Sequence, residues 1–506
     1  VTLADHLPIL PVIIPALAAP IVLLVMRRRP TLGVTVSVAS CFALLATAIM
    51  LMMQVSNGTI FAYAVGEWPA PFGIVLVADR LAAMMLVLTA CLALIALLHA
   101  LVTGADRKGW HFHALFQFQL MGLNGAFLTG DLFNLFVFFE VLLIASYGLM
   151  LHGQGPARLK AGVQYVVVNL VGSSLFLIAL GMLYALTGTL NMADMGLRVA
   201  AVPPEDQGLL RIAALLLVSV FALKAAVAPL HLWLVRTYAV STPAVAALFA
   251  IMTKVGVYSL IRVVPQVFGE GAGAAAWVPA PYLLPAAMVS AIIGFAGVFV
   301  ARSLSEQAAY AVIGSTGTLL IAVAGWSAES LGAGLYYLAH STLAAAALFL
   351  VADVVARRRG AFGDNASPGP VFAQRGGIAL LFMAAAIAAT GLPPLSGFIG
   401  KLLILKSVAA LPDWGWAWGA ILGTTFIGVV GFARVGSAVF WKTAGEGTAP
   451  AGYATRADLA APAIALALLA ALAAGAGWVS AYTDAAAAQV LDPAQSARAV
   501  LTEAGQ

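Results

Sequence analysis

Long apolar stretches separated by short polar breaks run along the whole chain, and a stretch of about 18 residues or more is long enough to cross a bilayer as a helix. The pattern predicts fourteen spans, near 5–26, 33–54, 79–103, 111–129, 132–151, 162–187, 212–236, 243–265, 281–300, 305–325, 331–355, 378–411, 416–441 and 457–480. A straight helix over residues 378–411 would be about 51 Å long, against a hydrocarbon core of about 30 Å. Span twelve is therefore expected to be interrupted, and Gly391, Pro393, Pro394 and Gly397 mark where. Pro229 marks a second break, in span seven. Backbone freed at that depth has to be covered by protein or line a wet cavity, and discontinuous helices at the midplane recur at transporter sites.

The strings APLHLWL near 228 and PPLSGFI near 393 echo one another weakly. Because five is an odd number of crossings, spans 4–8 (111–265) and 9–13 (281–441) are predicted to be inverted repeats. The fold class is thus an all-α polytopic membrane protein with about fourteen transmembrane helices, residues 1–506 forming a single membrane domain. The link 357–377 is polar and Gly-rich and is expected to be a flexible connector. The tail 481–506 is Ala-rich with scattered charge, a candidate interfacial helix with a weak apolar pattern.

Composition agrees with a membrane solvent: 63% of residues are hydrophobic and 9% charged, where soluble domains carry about 25% charged residues. The net charge of +5 does not point to nucleic acid, because the basic residues sit in small clusters between apolar runs, as topology signals do. Arg27, Arg28 and Arg29 follow the first apolar run, an order that disfavours a cleaved signal peptide. With the N-terminus outside, Arg107, Lys108, Arg158, Lys160, Arg236, Arg302, Arg357 to Arg359, Arg375, Lys442 and Arg456 fall in inner loops. Glu67, Glu205, Asp206, Glu270, Glu329 and Asp413 then fall outside, with Arg198 and Arg498. This alternation predicts a bacterial inner-membrane protein with both termini in the periplasm. Cys41 and Cys91 lie inside apolar segments without CxxC spacing and read as small packing residues.

Against this background several charges stand out. Glu140 lies in span five, Lys224 and Lys254 at the midpoints of spans seven and eight, His340 inside span eleven, and Lys401 just beyond the break in span twelve. Arg262 and Lys406 are close enough to span ends to snorkel to the interface. Lys224 and Lys254 are about 17 Å from either end of their spans and cannot. Three central lysines and a central glutamate imply an insertion cost on the order of 10 kcal/mol, which points to function rather than packing. Burial favours neutral lysine, while a neighbouring carboxylate favours the ammonium, so a Glu–Lys pair that opens and closes can pass a proton onward. His340 is either a relay member or a hydrogen-bonded core residue, and His231, beyond Pro229, is a weaker candidate. Asp131, Asn134, Ser146, Thr253, Ser315 and Thr316 are oxygen donors available for sodium, with no ligand set assignable among them. No GxxxxGKS/T loop, no GxGxxG after a strand and no His/Cys cluster is present, so no cofactor and no enzyme active site is implied.

At these residues the chain resembles a known family. TGDLFNLFVFFEVLLIASYGLML (129–151), FALKAAVAPLHLWL (221–234), TKVGVYSLIR (253–262) and GLPPLSGFIGK (391–401) look like the antiporter-like proton-translocating subunits of complex I, membrane-bound hydrogenases and Mrp antiporters. GDLFNLFVFFE and GTLNMADM (188–195) look most like the D-type Mrp subunits. The resemblance implies fourteen helices with two inverted repeats and broken helices seven and twelve. It also implies a proton relay through Glu140, Lys224, Lys254, His340 and Lys401, exchange of protons for Na⁺ or K⁺ in pH and sodium homeostasis, and assembly with A, B, C, E, F and G subunits. One departure is that many relatives carry a lysine shortly after the helix-eleven histidine, where this chain has Ala344 to Ala347. His340 alone or a water then has to fill that place. Two alternatives stay open: a proton-pumping subunit of a complex I-like or hydrogenase redox complex, and a stand-alone secondary transporter for a small organic substrate.

The charge alternation makes a direct prediction. In a Cys41→Ser/Cys91→Ser background, a cysteine introduced within 357–377 should react with impermeant thiol reagents only from the cytoplasmic side. Labelling of intact cells from outside would contradict the orientation and at least one span.

Overall fold

The computed structural model describes residues 6–448 and 455–502. Its helices are α1 (Leu10–Met26), α2 (Pro30–Val55), α3 (Arg80–Thr103), α4 (Phe112–Leu128), α5 (Leu132–Leu151), α6 (Pro156–Thr187), α7 (Met192–Val199), α8 (Gln207–Lys224), α9 (Leu234–Val240) and α10 (Pro243–Phe249). They continue as α11 (Met252–Val267), α12 (Ala280–Val300), α13 (Leu304–Val323), α14 (Ala328–Arg359), α15 (Arg375–Thr390), α16 (Ser396–Val408), α17 (Trp414–Gly436), α18 (Ala460–Ala474), α19 (Ala476–Val490) and α20 (Pro493–Thr502). Among the described residues, 11 helical runs are long and apolar enough to cross a membrane. The three remaining predicted spans correspond to α4, which has 17 residues, to α13, which is rich in Ser, Thr and Gln, and to the interrupted pair α15–α16. Residue 5, where the first predicted span begins, lies outside the described residues. Two short ladders that the pattern did not predict sit in the loops: β1 (Phe61–Ala64) antiparallel to β2 (Val75–Ala78), and β3 (Gly369–Val371) parallel to β4 (Thr443–Thr448).

The two interruptions fall in the fourth member of each predicted set of five. In the first, α8 stops at Lys224 and α9 starts at Leu234, and in the second, α15 stops at Thr390 and α16 starts at Ser396. The α10–α11 run is buried on all sides and α14 nearly so, while α1, α2, α6, α8, α17 and α18 each bury only about a third of their surface and turn apolar faces outward. Those faces carry Leu24, Met53, Val163, Leu170, Ile178, Ile212 and Phe426, all exposed, which suits a lipid surround. Lipid offers no hydrophobic drive between helices, so close backbone contact has to hold them. A Cβ on Gly294 would run into the Gly314 nitrogen, and one on Gly317 into the Ala291 nitrogen, so α12 and α13 meet backbone to backbone.

Buried polar groups finish the packing. Pro15 inside α1 has no N–H to give the Pro11 carbonyl, and Asn124 of α4 supplies one at 2.8 Å. Gln117 of the same helix accepts from Ser40 at 2.8 Å and donates to the Ser37 carbonyl, tying α4 to α2. An unpartnered amide in a membrane core costs several kcal/mol, so these bonds fix which faces of α1, α2 and α4 meet.

Three expectations change. Arg262 does not snorkel: it is buried and holds Asp79 through two bonds of 2.5 and 2.8 Å, while its Nε donates to the Tyr258 hydroxyl. Asp79 also caps α3 through the Ala82 N–H, so one carboxylate joins the β1–β2 hairpin, α3 and α11. The 357–377 link is not a loose connector. Arg359 is buried and donates to the carbonyls of Gly363, Asn365 and Ser367, and Asp364 accepts from the Ser305 N–H at the start of α13. Arg358 pairs with Asp458 at 2.8 Å, fastening this link to the start of the last span. That span also runs further than 480: α19 continues to Val490, where Gln489 donates to the Gly58 carbonyl and accepts from the Arg80 N–H. Alanine is a good helix former but a weak hydrophobe, so the apolar signal fades before the helix ends. Only 491–502 remains of the described tail, mostly as α20 packed on α7, and residues 503–506 lie outside the described residues.

Removing one partner of a buried ion pair leaves a charge without compensation, at a cost of about 3–5 kcal/mol. Arg262→Met should therefore lower the thermal unfolding midpoint of the detergent-purified protein markedly. Asp79→Asn/Arg262→Met, which removes both charges and keeps an N-cap, should recover most of the loss. A single Arg262→Met variant as stable as the parent would show that the pair does not hold the hairpin.

Candidate functional site

Of the ionisable residues singled out from the sequence, Glu140, Lys224, Lys254, His340 and Lys401 each meet a polar group from another helix. Glu140 projects from α5 towards α6, where the Ser173 hydroxyl donates to its Oε1. Four residues earlier on α6, Asn169 accepts from the Lys224 ammonium at 3.2 Å. The Asn169 amide is oriented by its own Nδ2, which donates to the Tyr165 carbonyl at 2.9 Å and so turns Oδ1 towards the lysine. The Phe139 ring lies 5.8 Å from the Lys224 nitrogen. Among the described residues no ion pair joins Glu140 to Lys224; the two groups are held apart, each on a neutral partner.

Glycines set these distances. A Cβ on Gly172 would lie 2.6 Å from a Leu223 methyl, so a larger residue there would push the Leu223 side chain aside at the contact of α8 with α6. On the opposite side, a Cβ on Gly256 would lie 2.5 Å from the Ala225 nitrogen and 2.9 Å from the Lys224 carbonyl carbon. This contact sets α11, and with it Lys254, directly against the break. The break itself is saturated by neighbours: the Ala228 N–H donates to Ser290 of α12 at 2.9 Å, and the Trp233 indole donates to the Leu223 carbonyl.

Lys254 is fully buried and donates to the Thr316 hydroxyl of α13 at 3.3 Å. The neighbouring Ser315 lines a cavity of about 10 Å³ with Tyr337, His340, Ser341, Ala344 and Ala345. That is about the smallest space that admits one water, and it lies beside Ala344 and Ala345. His340 binds the Ser396 hydroxyl at 2.9 Å, at the first residue of α16. A Cβ on Gly397 would fall within 3 Å of both the His340 ring and the Ala388 carbonyl, so the histidine packs against the break of span twelve.

Lys401 reaches back across that break, donating to the Thr390 carbonyl at 2.8 Å and to the Thr425 hydroxyl of α17 at 2.7 Å, with the Phe295 ring 5.1 Å away. Thr390 ends α15, and Gly391 follows in the left-handed region with φ 76°. The sequence places one lysine before its break and the other after it. In three dimensions both belong to the C-terminal end of the first half-helix, Lys224 as its last residue and Lys401 through the Thr390 carbonyl. The Thr390 carbonyl, freed where α15 ends, carries partial negative charge and favours the Lys401 ammonium. The Phe221, Ala222 and Leu223 carbonyls at the end of α8 are paired within the break, and Lys224 turns to Asn169.

His231 lies in the first break, half buried, and its Nδ1 is buried without a hydrogen-bond partner; no hydrogen bond joins it to the row. The candidate sodium ligands do not converge. Asp131 caps α5 at Asn134, whereas Ser146, about 22 Å along the same helix, bonds the Tyr165 hydroxyl. Thr253 has a buried hydroxyl without a partner, and Thr316 is taken by Lys254. Among the described residues no group of three or more His, Cys, Asp or Glu is placed to hold a metal ion. Sequence reading passed over Asn169, Ser173, Ser396, Thr390 and Thr425, which receive the charges. Asn169 and Ser173 were findable, as polar residues one turn apart in the middle of an apolar span.

A helical membrane protein whose two broken helices each present a buried lysine to a mid-membrane polar row is built for ion translocation. Residues 129–428 match the family model described as NADH:quinone oxidoreductase/Mrp antiporter, TM, and the chain belongs to that family. It is 40% identical over 480 residues, 88% of each chain, to the D-type subunit of a probable K(+)/H(+) antiporter of Rhizobium meliloti (strain 1021). It is 33% identical over 502 residues, 99% of this chain and 100% of the other, to the D-type subunit of the Na(+)/H(+) antiporter of Bacillus subtilis (strain 168). Among solved structures it superposes on a chain of the Mrp complex from Dietzia sp. DQ12-45-1b with a TM-score of 0.88 and 27% identity, covering 99% of this chain and 100% of that one. A chain of respiratory complex I from Thermus thermophilus shares the fold with a TM-score of 0.77 at 24% identity, over 96% and 99% of the two chains.

Proposed function

We propose that the chain is the proton-translocating D-type member of a multi-subunit Na⁺(K⁺)/H⁺ antiporter, and that Glu140, Lys224, Lys254, His340 and Lys401 carry the proton. The observation that carries this reading is the row itself: five ionisable side chains, each on a hydroxyl, amide or carbonyl partner from another helix, with α13 joining the two halves through Thr316 and Ser315. Residues 111–265 and 281–441 act as the two inverted halves, in a bacterial inner membrane with both termini periplasmic. The D-type antiporter relatives, by name and by identity, favour the antiporter over a redox complex. The cavity beside His340 has room for one water, which suits proton transfer at that histidine.

The chain works with A, B, C, E, F and G partners. Glu140 supports this independently. It is only partly buried, on the face of α5 that exposes Phe133, Val137 and Ile144, and a carboxylate left facing lipid at mid-bilayer is costly. A neighbouring protein covering this face removes the cost.

The test uses everted vesicles from an antiporter-deficient host. The complete set of partners should give cation-dependent proton exchange, and this chain alone should give none. Glu140→Ala, Lys224→Ala and Lys401→Ala should abolish exchange while leaving the protein in the membrane. Lys401→Arg should also fail, because arginine keeps its proton through the cycle. Robust exchange by the single chain would favour a stand-alone transporter, and full exchange in Lys401→Ala would remove that residue from the path.

A further inference from the structure

α6 carries none of the ionisable residues of the row, yet it supplies both neutral partners of the first Glu–Lys couple. Its buried stripe runs Ala161, Gly162, Tyr165, Asn169, Gly172, Ser173 and Phe176, with Asn169 and Ser173 one turn apart and Gly172 between them. Residues four apart on a helix share a face about 6 Å apart along the axis. That is too far for one side chain to serve both charges and near enough for the pair to span the gap between them.

From these bonds we propose that Asn169 and Ser173 are positioning residues that hold Lys224 and Glu140 in separate, neutral partnerships and so set the proton affinity of the couple. This rests on the relay reading above and goes beyond it by assigning the open arrangement of the couple to a helix that adds no charge to it. An ammonium bonded to an amide oxygen gives up its proton more readily than one bonded to a carboxylate, because the amide adds no Coulomb attraction. Ser173 donates to the carboxylate and stabilises its charge without a cation, so Glu140 does not need Lys224 to remain ionised. When the Ser173 and Asn169 bonds exchange for a direct Glu140–Lys224 contact, the same two groups bind the proton tightly. The difference between the two arrangements is the switch.

The surroundings leave the α6 pair in control. Besides Glu140 and Tyr147 on α5, the buried titratable groups of α6 and α11 beside Lys224 bond elsewhere. Tyr165 of α6 bonds Ser146, Lys254 of α11 bonds Thr316, Tyr258 bonds the Phe127 carbonyl, and Arg262 pairs with Asp79. Two turns also pack on α8: 273–275 contains only glycine and alanine, and 204–206 brings Glu205 and Asp206 to the end of the helix opposite Lys224.

The experiment measures the pH profile of cation/proton exchange by the complete antiporter in everted vesicles, with assembly checked on native gels. Asn169→Asp is nearly isosteric and puts an anion on Lys224, so the limb of the profile set by proton release should move alkaline by about one pH unit, roughly a tenfold loss of rate at a fixed pH on that limb. Asn169→Leu removes the acceptor and should move the limb to the acid side. Ser173→Ala should shift the profile while Ser173→Thr, which keeps the hydroxyl, restores it. If Asn169→Leu does not assemble, the Asn169→Asp and Ser173 variants still decide the matter. A uniform fall in rate with the profile unmoved would mean these residues only pack the helices, and would overturn the inference. If Glu140→Ala and Lys224→Ala abolish exchange while the α6 variants leave the profile unchanged, only this inference fails. Full exchange in Glu140→Ala or Lys224→Ala would instead remove the relay beneath it.

Discussion

An ammonium in the middle of a bilayer has to find its acceptors within the protein, and much of the architecture follows from that requirement. Three lysines and a glutamate at this depth imply a cost on the order of 10 kcal/mol before compensation. The compensation is neutral and specific: Asn169 for Lys224, Thr316 for Lys254, Thr390 and Thr425 for Lys401, Ser173 for Glu140. Neutral partners matter more than their number. A buried Lys–Glu ion pair would hold the proton firmly, whereas an amide or hydroxyl satisfies the hydrogen-bond demand and leaves the proton free to leave. On the proposed relay, stability and transfer are met by the same bonds.

Helix breaks follow from the same requirement. Ending α15 at Thr390 leaves a carbonyl that takes the Lys401 ammonium, whereas the last carbonyls of α8 are paired within the break. The exposed N–H groups then have to be paired by other elements, as Ser290 of α12 does for Ala228. Glycine makes those approaches possible at Gly256 and Gly397, where a Cβ would meet neighbouring backbone. The most enclosed helices, α10–α11 and α14, are the ones bearing Lys254 and His340, whereas Glu140 on α5 is only partly buried.

Much of this was legible in the chain. Apolar run length located the spans, Pro229 and the Gly391–Gly397 cluster located the breaks, and the cost of mid-bilayer charge singled out Glu140, Lys224, Lys254 and Lys401. What was hidden depends on contacts between distant positions. Arg262 looked like a snorkelling residue because its partner Asp79 is 183 residues away. The 357–377 link looked mobile because its order comes from one arginine, Arg359, gathering three carbonyls of a Gly-rich turn. The two lysines looked asymmetric about their breaks because chain order does not reveal that the Lys401 side chain folds back to Thr390. Hydroxyls and amides such as Thr425, Ser396 and Asn169 were passed over because polar residues without charge are common in membrane helices, where they often simply bond across an interface.

The central claim is that the buried row changes protonation as cations cross. Infrared difference spectroscopy of the reconstituted complete antiporter, with exchange started by a cation jump, reads this directly. The account predicts a carboxylate difference band during turnover, as Glu140 exchanges Ser173 for Lys224, that is absent in Glu140→Gln and in Lys224→Ala. Turnover without that band, or a band unchanged in Glu140→Gln, would contradict it.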